Sequence, residues 1–368
     1  MKYYILTGEA SGDQHASHLM RALKQLDDQS QFRFWGGDLM SEVAGNPPVK
    51  HIEELAFMGF WEVAVNLRAI LRNFKLAKSD ILAYSPDVLI LVDYPGFNLR
   101  MAEWAKKRGI KVAYYIAPQV WAWKENRVKK IKKFTDKLLT ILPFEEDYFK
   151  EKGVEQAVFV GHPLLDHFKN YSPNKEGFDA GKKYFGIVPG SRKQEVGLIL
   201  PPLATLFPKF RETQFGISQS AQLVKKEDEI YAPYVNNHLN VSVYTGRQHD
   251  LLSNCYAALV KSGTSTLEAA LLNVPQAVIY KANPISFYIA KKLVNVKYIS
   301  LVNLILDEPL IEEHIQSEVN PFSVEEAYLK LQDESERSRI FEGYDRLQQK
   351  LGGSGCSQKA ATEILKLF

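Results

Sequence analysis

Short apolar runs alternating with longer helix-periodic segments constrain this chain more than any other feature. Residues 3–6, 88–92, 112–116, 138–142 and 157–160 are largely apolar and rich in β-branched and aromatic side chains. Runs without polar alternation read as strands buried on both faces, and such strands belong to parallel sheets covered by helices. Helical patterns through residues 17–26, 61–83 and 99–108 supply that cover. A second series of runs follows at 184–188, 241–244, 257–260 and 277–280. Alternation of this kind, met twice, predicts an α/β chain of two Rossmann-like doubly wound domains facing a cleft.

The join falls near residues 167–182, where Tyr171-Ser-Pro-Asn-Lys-Glu-Gly lacks periodicity. The expected units are 1–166, 167–350 and a C-terminal helix within 351–368. The Gly352-Gly353-Ser354-Gly355 break suits a return of that helix to the first domain. A length of 368 residues suits two domains, and 46% hydrophobic residues supports cores in both. A net charge of +3 does not indicate a nucleic-acid partner. Two cysteines, Cys255 and Cys356, argue against a disulfide framework and a zinc cluster and fit a reducing cytoplasm. No signal peptide is read at the start, and no apolar run approaches the roughly 20 residues that span a bilayer. Any membrane contact is expected to be peripheral.

The positive charge is local. Trp121 and Trp123 follow Pro118, and Lys124, Arg127, Lys129, Lys130, Lys132 and Lys133 come next. Indoles beside cations suit a ligand both apolar and anionic, such as a phospholipid. The same residues also suit a Trp-rich loop under a solvated basic helix. The 61–83 pattern, with Trp61, Leu71 and Phe74 beside Arg68, Arg72, Lys75 and Lys78, reads either as sheet cover or as a membrane-facing helix.

Loops between strand and helix carry the candidate chemistry. Pro189-Gly190-Ser191-Arg192 follows one run; its backbone N–H groups and the Arg192 guanidinium suit a phosphate. Ser262-Gly263-Thr264-Ser265 repeats that geometry, and Glu268 shares the first-turn face, where a carboxylate can accept from a ribose diol. Both loops also read as ordinary capped helix starts. Gly8 to Asp13 is a third such loop, but Glu9 and Asp13 make it acidic, suited to sugar hydroxyls or the reacting centre. Asp93 ends a strand, where drying by Tyr94 and Pro95 favours a general base; a helix-capping role fits the spacing equally. His162 reads as a hinge or packing residue. Gln194, Glu195, Asn303 and Gln316 are weaker nucleotide-site candidates. No acidic pair placed as a metal-nucleotide clamp is read, so no metal or other cofactor is expected.

These fragments form an ordered set. Tyr114-Tyr-Ile-Ala-Pro-Gln-Val-Trp-Ala-Trp123 resembles the signature of lipid-A-disaccharide synthases. Gly8-Glu-Ala-Ser-Gly-Asp13, Trp35-Gly-Gly-Asp-Leu-Met40, Met58-Gly59 with Glu62-Val63, Asp93-Tyr-Pro-Gly-Phe-Asn98, Leu142-Pro-Phe-Glu145, Gly161-His-Pro163, Pro189-Gly-Ser-Arg192 and Ser262-Gly-Thr-Ser-Thr-Leu-Glu268 agree in order over nearly the whole chain.

The resemblance implies the B-type glycosyltransferase fold and an inverting hexosyltransferase. Its donor would be UDP-2,3-diacylglucosamine, its acceptor 2,3-diacylglucosamine 1-phosphate, its setting the cytoplasmic face of the inner membrane, with an anionic lipid surface as partner. It implies Asp93, Glu9 and Asp13 near the chemistry. Gly190, Ser191, Arg192, Ser262, Gly263, Thr264, Ser265, Glu268, Asn303 and Gln316 would hold the nucleotide. Ser11, Gly12, Met58, Trp61, Asn98, Gln119, Trp121, Trp123 and Arg127 would face the acceptor or membrane. The family has glycine at Ala16, a second acid at Gly96 and Leu-Pro-Asn where Leu301-Val302-Asn303 stands, so any role of that second acid does not transfer. Rival readings are another UDP-sugar transferase or epimerase, or a non-catalytic nucleotide-responsive lipid-binding protein.

Overall fold

The computed structural model describes residues 1–368 apart from 56–66, 170, 180, 224–227 and 295. The chain divides into two compact units: Met1–Asp166 with Leu351–Phe368, and His167–Lys350.

The first unit is built on seven strands: β1 (Lys2–Leu6), β2 (Gln31–Gly36), β3 (Lys50–His51), β4 (Val88–Val92), β5 (Lys111–Tyr115), β6 (Lys137–Thr140) and β7 (Ala157–Phe159). Their order is β3-β2-β1-β4-β5-β6-β7, parallel throughout. Side chains alternate between two cores. Tyr4, Leu6, Leu89, Leu91 and Tyr114 enter one; Tyr3, Ile5, Val88, Ile90, Val92 and Tyr115 enter the other. Both faces are therefore apolar, which explains the unbroken runs. Helix Cys356–Leu365 packs on helix Ala10–Leu26 and adds Cys356, Ala360, Ala361 and Ile364 to the second core. Gly355, at φ +107°, turns the chain into that helix, and Ser357 N donates to Asp166 at 2.9 Å.

The second unit holds β8 (Tyr184–Val188), β9 (Gln214–Gln219), β10 (Val241–Thr245), β11 (Cys255–Lys261), β12 (Gln276–Tyr280) and β13 (Glu313–Ile315). The order β10-β9-β8-β11-β12-β13 is again wholly parallel. β2, β3, β9 and β13 carry weaker sequence patterns than the strands beside them. In β2, Gln31 and Arg33 face solvent, and Arg33 pairs with Asp80. β13 is short and charged.

Strand order reverses between β1 and β4 in one sheet and between β8 and β11 in the other. Helices leave on opposite faces at such a point, so the loops beyond the strand ends part and leave a crevice. The loops there are Gly8 to Asp13 and Asp93 to Asn98 in the first unit, Gly190 to Arg192 and Ser262 to Thr264 in the second.

Candidate active site

Asp93 follows β4 directly, and its backbone turns sharply. Asp93 and Tyr94 take φ of +44° and +47°, a left-handed conformation uncommon for residues with side chains. Neighbours hold the turn. Asn98 Nδ2 donates to the carbonyls of Asp93 at 2.8 Å and Val92 at 3.2 Å, and the Tyr114 hydroxyl donates to Asp93 O at 2.6 Å. Gly8 makes room, since a Cβ there would lie 2.6 Å from the Tyr94 ring. Burial pushes the Asp93 carboxyl up to about 6, and the negative charge of Glu9 adds to it. A carboxylate tuned that way accepts a proton near neutral pH.

The other first-unit candidates separate. Glu9 caps helix Ala10–Leu26 by position and is half-buried, with Ser11 exposed in the first turn. Gly12 is buried against Thr7. Asp13 is buried, with its carboxylate hydrogen-bonded to the backbone. Its carboxylate accepts from Gly37 N at 2.7 Å and from Leu39 N and Met40 N at 3.2 Å, anchoring helix Asp38–Ala44. A buried carboxylate with three backbone donors is a positioning group. Asn98 likewise braces the Asp93 turn and is fully buried. His162 is buried and held neutral, its titration pushed down to about 3 by burial, and it accepts from Leu164 N.

Trp121 differs from the expectation of a lipid-facing indole. Its Nε1 donates to Glu145 Oε1 at 3.0 Å, and its ring meets Phe144 edge-on at 5.1 Å. Glu145 is buried and also accepts from Leu142 N and Ile141 N. Burial pushes this carboxyl up to about 7, against the pull of those donors. Trp123 remains 39% exposed, with Lys124 Nζ 4.1 Å and Arg127 5.5 Å from its ring. Gln119 is exposed. Met58 and Trp61 lie outside the described residues. Helix Val128–Phe134 buries Val128, Ile131 and Phe134, while Lys129, Lys130, Lys132 and Lys133 point outward.

In the second unit the two crossover loops border a cavity of about 460 Å³. Gly190, Ser191, Ser262, Gly263, Thr264, Ser265 and Glu268 line it, together with Gln219, Gln248, His249 and Lys261. Gly263, at φ +151°, precedes helix Thr264–Leu271, whose N-terminal amides favour an anion. Glu268 Oε2 accepts from Gln248 Nε2 at 2.6 Å and lies 3.4 Å from His249 Nε2. His249 Nδ1 lies 3.3 Å from His167 Nε2, a contact in which either ring nitrogen can be the donor. Gln248 also donates to Ser265 Oγ at 3.0 Å. Arg192 caps helix Lys193–Leu203 by position; its side chain is 66% exposed and meets Glu195 at 3.3 Å. It borders the cavity rather than lining it.

Asn303 and Gln316 are spent elsewhere. Asn303 is buried, donates to Ile311 O and Glu313, and accepts from Ile311 N. Gln316 Oε1 accepts from Ala282 N at 2.9 Å. Both are loop ties outside the cavity lining. Gln248, His249 and Lys261 went unread. Gln248 and His249 begin the helix after β10, and Lys261 closes β11 just before the glycine turn. Polar residues at strand ends were the available signal.

Solved structures share this architecture at low identity. UDP-GlcNAc 2-epimerase from Neisseria meningitidis, bound to UDP-GlcNAc, superposes with a TM-score of 0.71 over 100% of both chains at 12% identity. The glycotransferase of kitacinnamycin gives 0.67 over 99% of this chain and 98% of its own, at 14% identity. The fold is thus the two-domain B type of glycosyltransferases and epimerases. Sequence relatives are nearer. The lipid-A-disaccharide synthase of Nitrosococcus oceani is 38% identical over 98% of this chain and 94% of its own. That of Trichlorobacter lovleyi is 36% identical over 99% and 96%. The lipid-A-disaccharide synthetase family model matches residues 3–365, spanning the loops after β1, β4, β8 and β11 alike. With both crossover sites inside that match, the chain belongs to the lipid-A-disaccharide synthetase family.

Proposed function

We propose that this chain transfers 2,3-diacylglucosamine from UDP-2,3-diacylglucosamine to 2,3-diacylglucosamine 1-phosphate. The products are the β-1,6-linked disaccharide 1-phosphate and UDP. Family membership over the full length carries the reading, and the nucleotide-sized cavity at the β8/β11 crossover supports it.

Asp93 takes the proton from the acceptor 6-hydroxyl as that oxygen bonds to the donor anomeric carbon. The bond from that carbon to the diphosphate oxygen breaks on the opposite face, and UDP leaves with the electron pair. A single displacement inverts the anomeric centre and requires one base and one stabilised leaving group. Charge on the leaving diphosphate meets the amides of the Gly190 and Gly263 turns, with Ser191, Thr264 and Arg192 beside them. Glu268, held by Gln248 and His249, accepts from the ribose hydroxyls. These groups neutralise the leaving group without a metal, so turnover should survive EDTA.

Among the described residues no helix is long and apolar enough to cross a membrane. Acylated substrates place the work at a bilayer surface, with the outward lysines of helix Val128–Phe134 and the exposed Trp123 as its contacts. Calorimetry tests the nucleotide site. Arg192→Ala and Glu268→Ala each remove a charged hydrogen bond worth about 1.5–3 kcal/mol, so UDP affinity should fall about ten- to hundredfold. Unchanged UDP affinity in both variants would refute the assignment.

A further inference from the structure

We infer that Lys261 is a diphosphate-binding residue of the second-unit cavity, parked on Glu195 until the ligand arrives. This rests on the nucleotide reading of that cavity. Lys261 is the last residue of β11 and the one lysine or arginine among the described lining residues. Its ammonium lies 3.2 Å from Glu195 Oε1, and Arg192 reaches the same oxygen at 3.3 Å. Glu195 belongs to the helix that follows β8. One carboxylate therefore gathers a cation from each side of the strand crossover. Gly190 is required for the arrangement: at φ +102°, a Cβ there would stand 2.9 Å from Glu195 Oε2 and 3.3 Å from Lys261 Cδ.

The arrangement suits exchange. A carboxylate oxygen shared by two cations holds each less tightly than a private pair, and such partly solvated pairs are weak. Lysine is a point charge on a flexible stem and can swing between partners. An arriving diphosphate offers more negative charge than one shared carboxylate, and when Lys261 leaves, Arg192 can stay on Glu195 through Nη1 while its other N–H groups meet the phosphates. An ion pair present only to brace the turn would behave differently, since loss of either partner would harm the site in the same direction.

Calorimetry on the full chain separates the two cases, with UDP and uridine as probes and wild type, Lys261→Met and Glu195→Gln as proteins. Lys261→Met should weaken UDP about tenfold or more and leave uridine unchanged, because only the phosphates lose a partner. Glu195→Gln should tighten UDP severalfold, because both cations are released and a like charge is removed. Opposite signs support the inference. Weakening of UDP by both variants, or a Lys261→Met affinity equal to wild type, overturns it. A wild-type protein that does not bind UDP overturns the nucleotide reading instead.

Discussion

Asp93 follows a wholly buried strand yet keeps its carboxyl beside a second acid, Glu9. Ionising it inside the fold is therefore unfavourable, and the proton is held up to about pH 6. Two consequences follow with defined signs. As a base the group must be ionised, so turnover should decline as pH falls through about 6, seen as the acid limb of the kcat/KM profile. As a contribution to stability, the raised carboxyl is harmless below the ordinary value of 3.8, becomes a growing penalty as pH rises from there towards about 6, and carries the full penalty above it. Asp93→Asn keeps the shape and removes that penalty. At neutral pH it should lower turnover by on the order of 10² or more, leave UDP binding intact and raise the melting temperature. A variant with near wild-type turnover would show that the base lies elsewhere. Asp13 illustrates the limit of reading acids from sequence. It shares a glycine-rich loop with Glu9, and only the approach of the Gly37–Met40 backbone reveals that its oxygens are committed.

Elements buried on both faces were legible because nothing polar interrupts them: β4 and β8 carry their character in every residue. β2 was less so, because Gln31 and Arg33 look outward and break the run. Crossover loops were legible as glycine-bearing turns between strand and helix. The partners they meet were not. Gln248 is 20 positions from Glu268, and parallel topology, rather than local pattern, joins them. The Trp121 segment shows the same gap between composition and placement. Its two indoles look alike in sequence, yet one is tied to buried Glu145 while the other stays exposed. Trp121→Phe keeps the ring packing against Phe144 and deletes the donor. Leaving a buried carboxyl short of a partner should cost about 1–3 kcal/mol in denaturant unfolding. A loss near zero would mean that the indole–carboxylate bond does not hold this loop.

At the scale of the whole molecule, two parallel sheets each place their candidate site loops at a strand crossover, and the C-terminal helix completes the first unit rather than the second. The proposed base and the proposed nucleotide cavity thus belong to different units. The outward lysines of helix Val128–Phe134 belong to the first. Near an anionic surface each cation contributes about 1 kcal/mol, falling with salt. Replacing Lys129, Lys130, Lys132 and Lys133 with Gln should reduce cosedimentation with anionic vesicles without changing UDP affinity. Equal sedimentation by the variant would assign this face to something other than lipid. The central claim is the glycosyl transfer itself. Purified protein should be incubated with UDP-2,3-diacylglucosamine and 2,3-diacylglucosamine 1-phosphate, and both products followed by mass spectrometry. The expected result is UDP and β-1,6 disaccharide 1-phosphate formed in equal amounts, with both lost together in Asp93→Asn. UDP released without disaccharide, or no turnover by a wild-type protein that binds UDP, would contradict it.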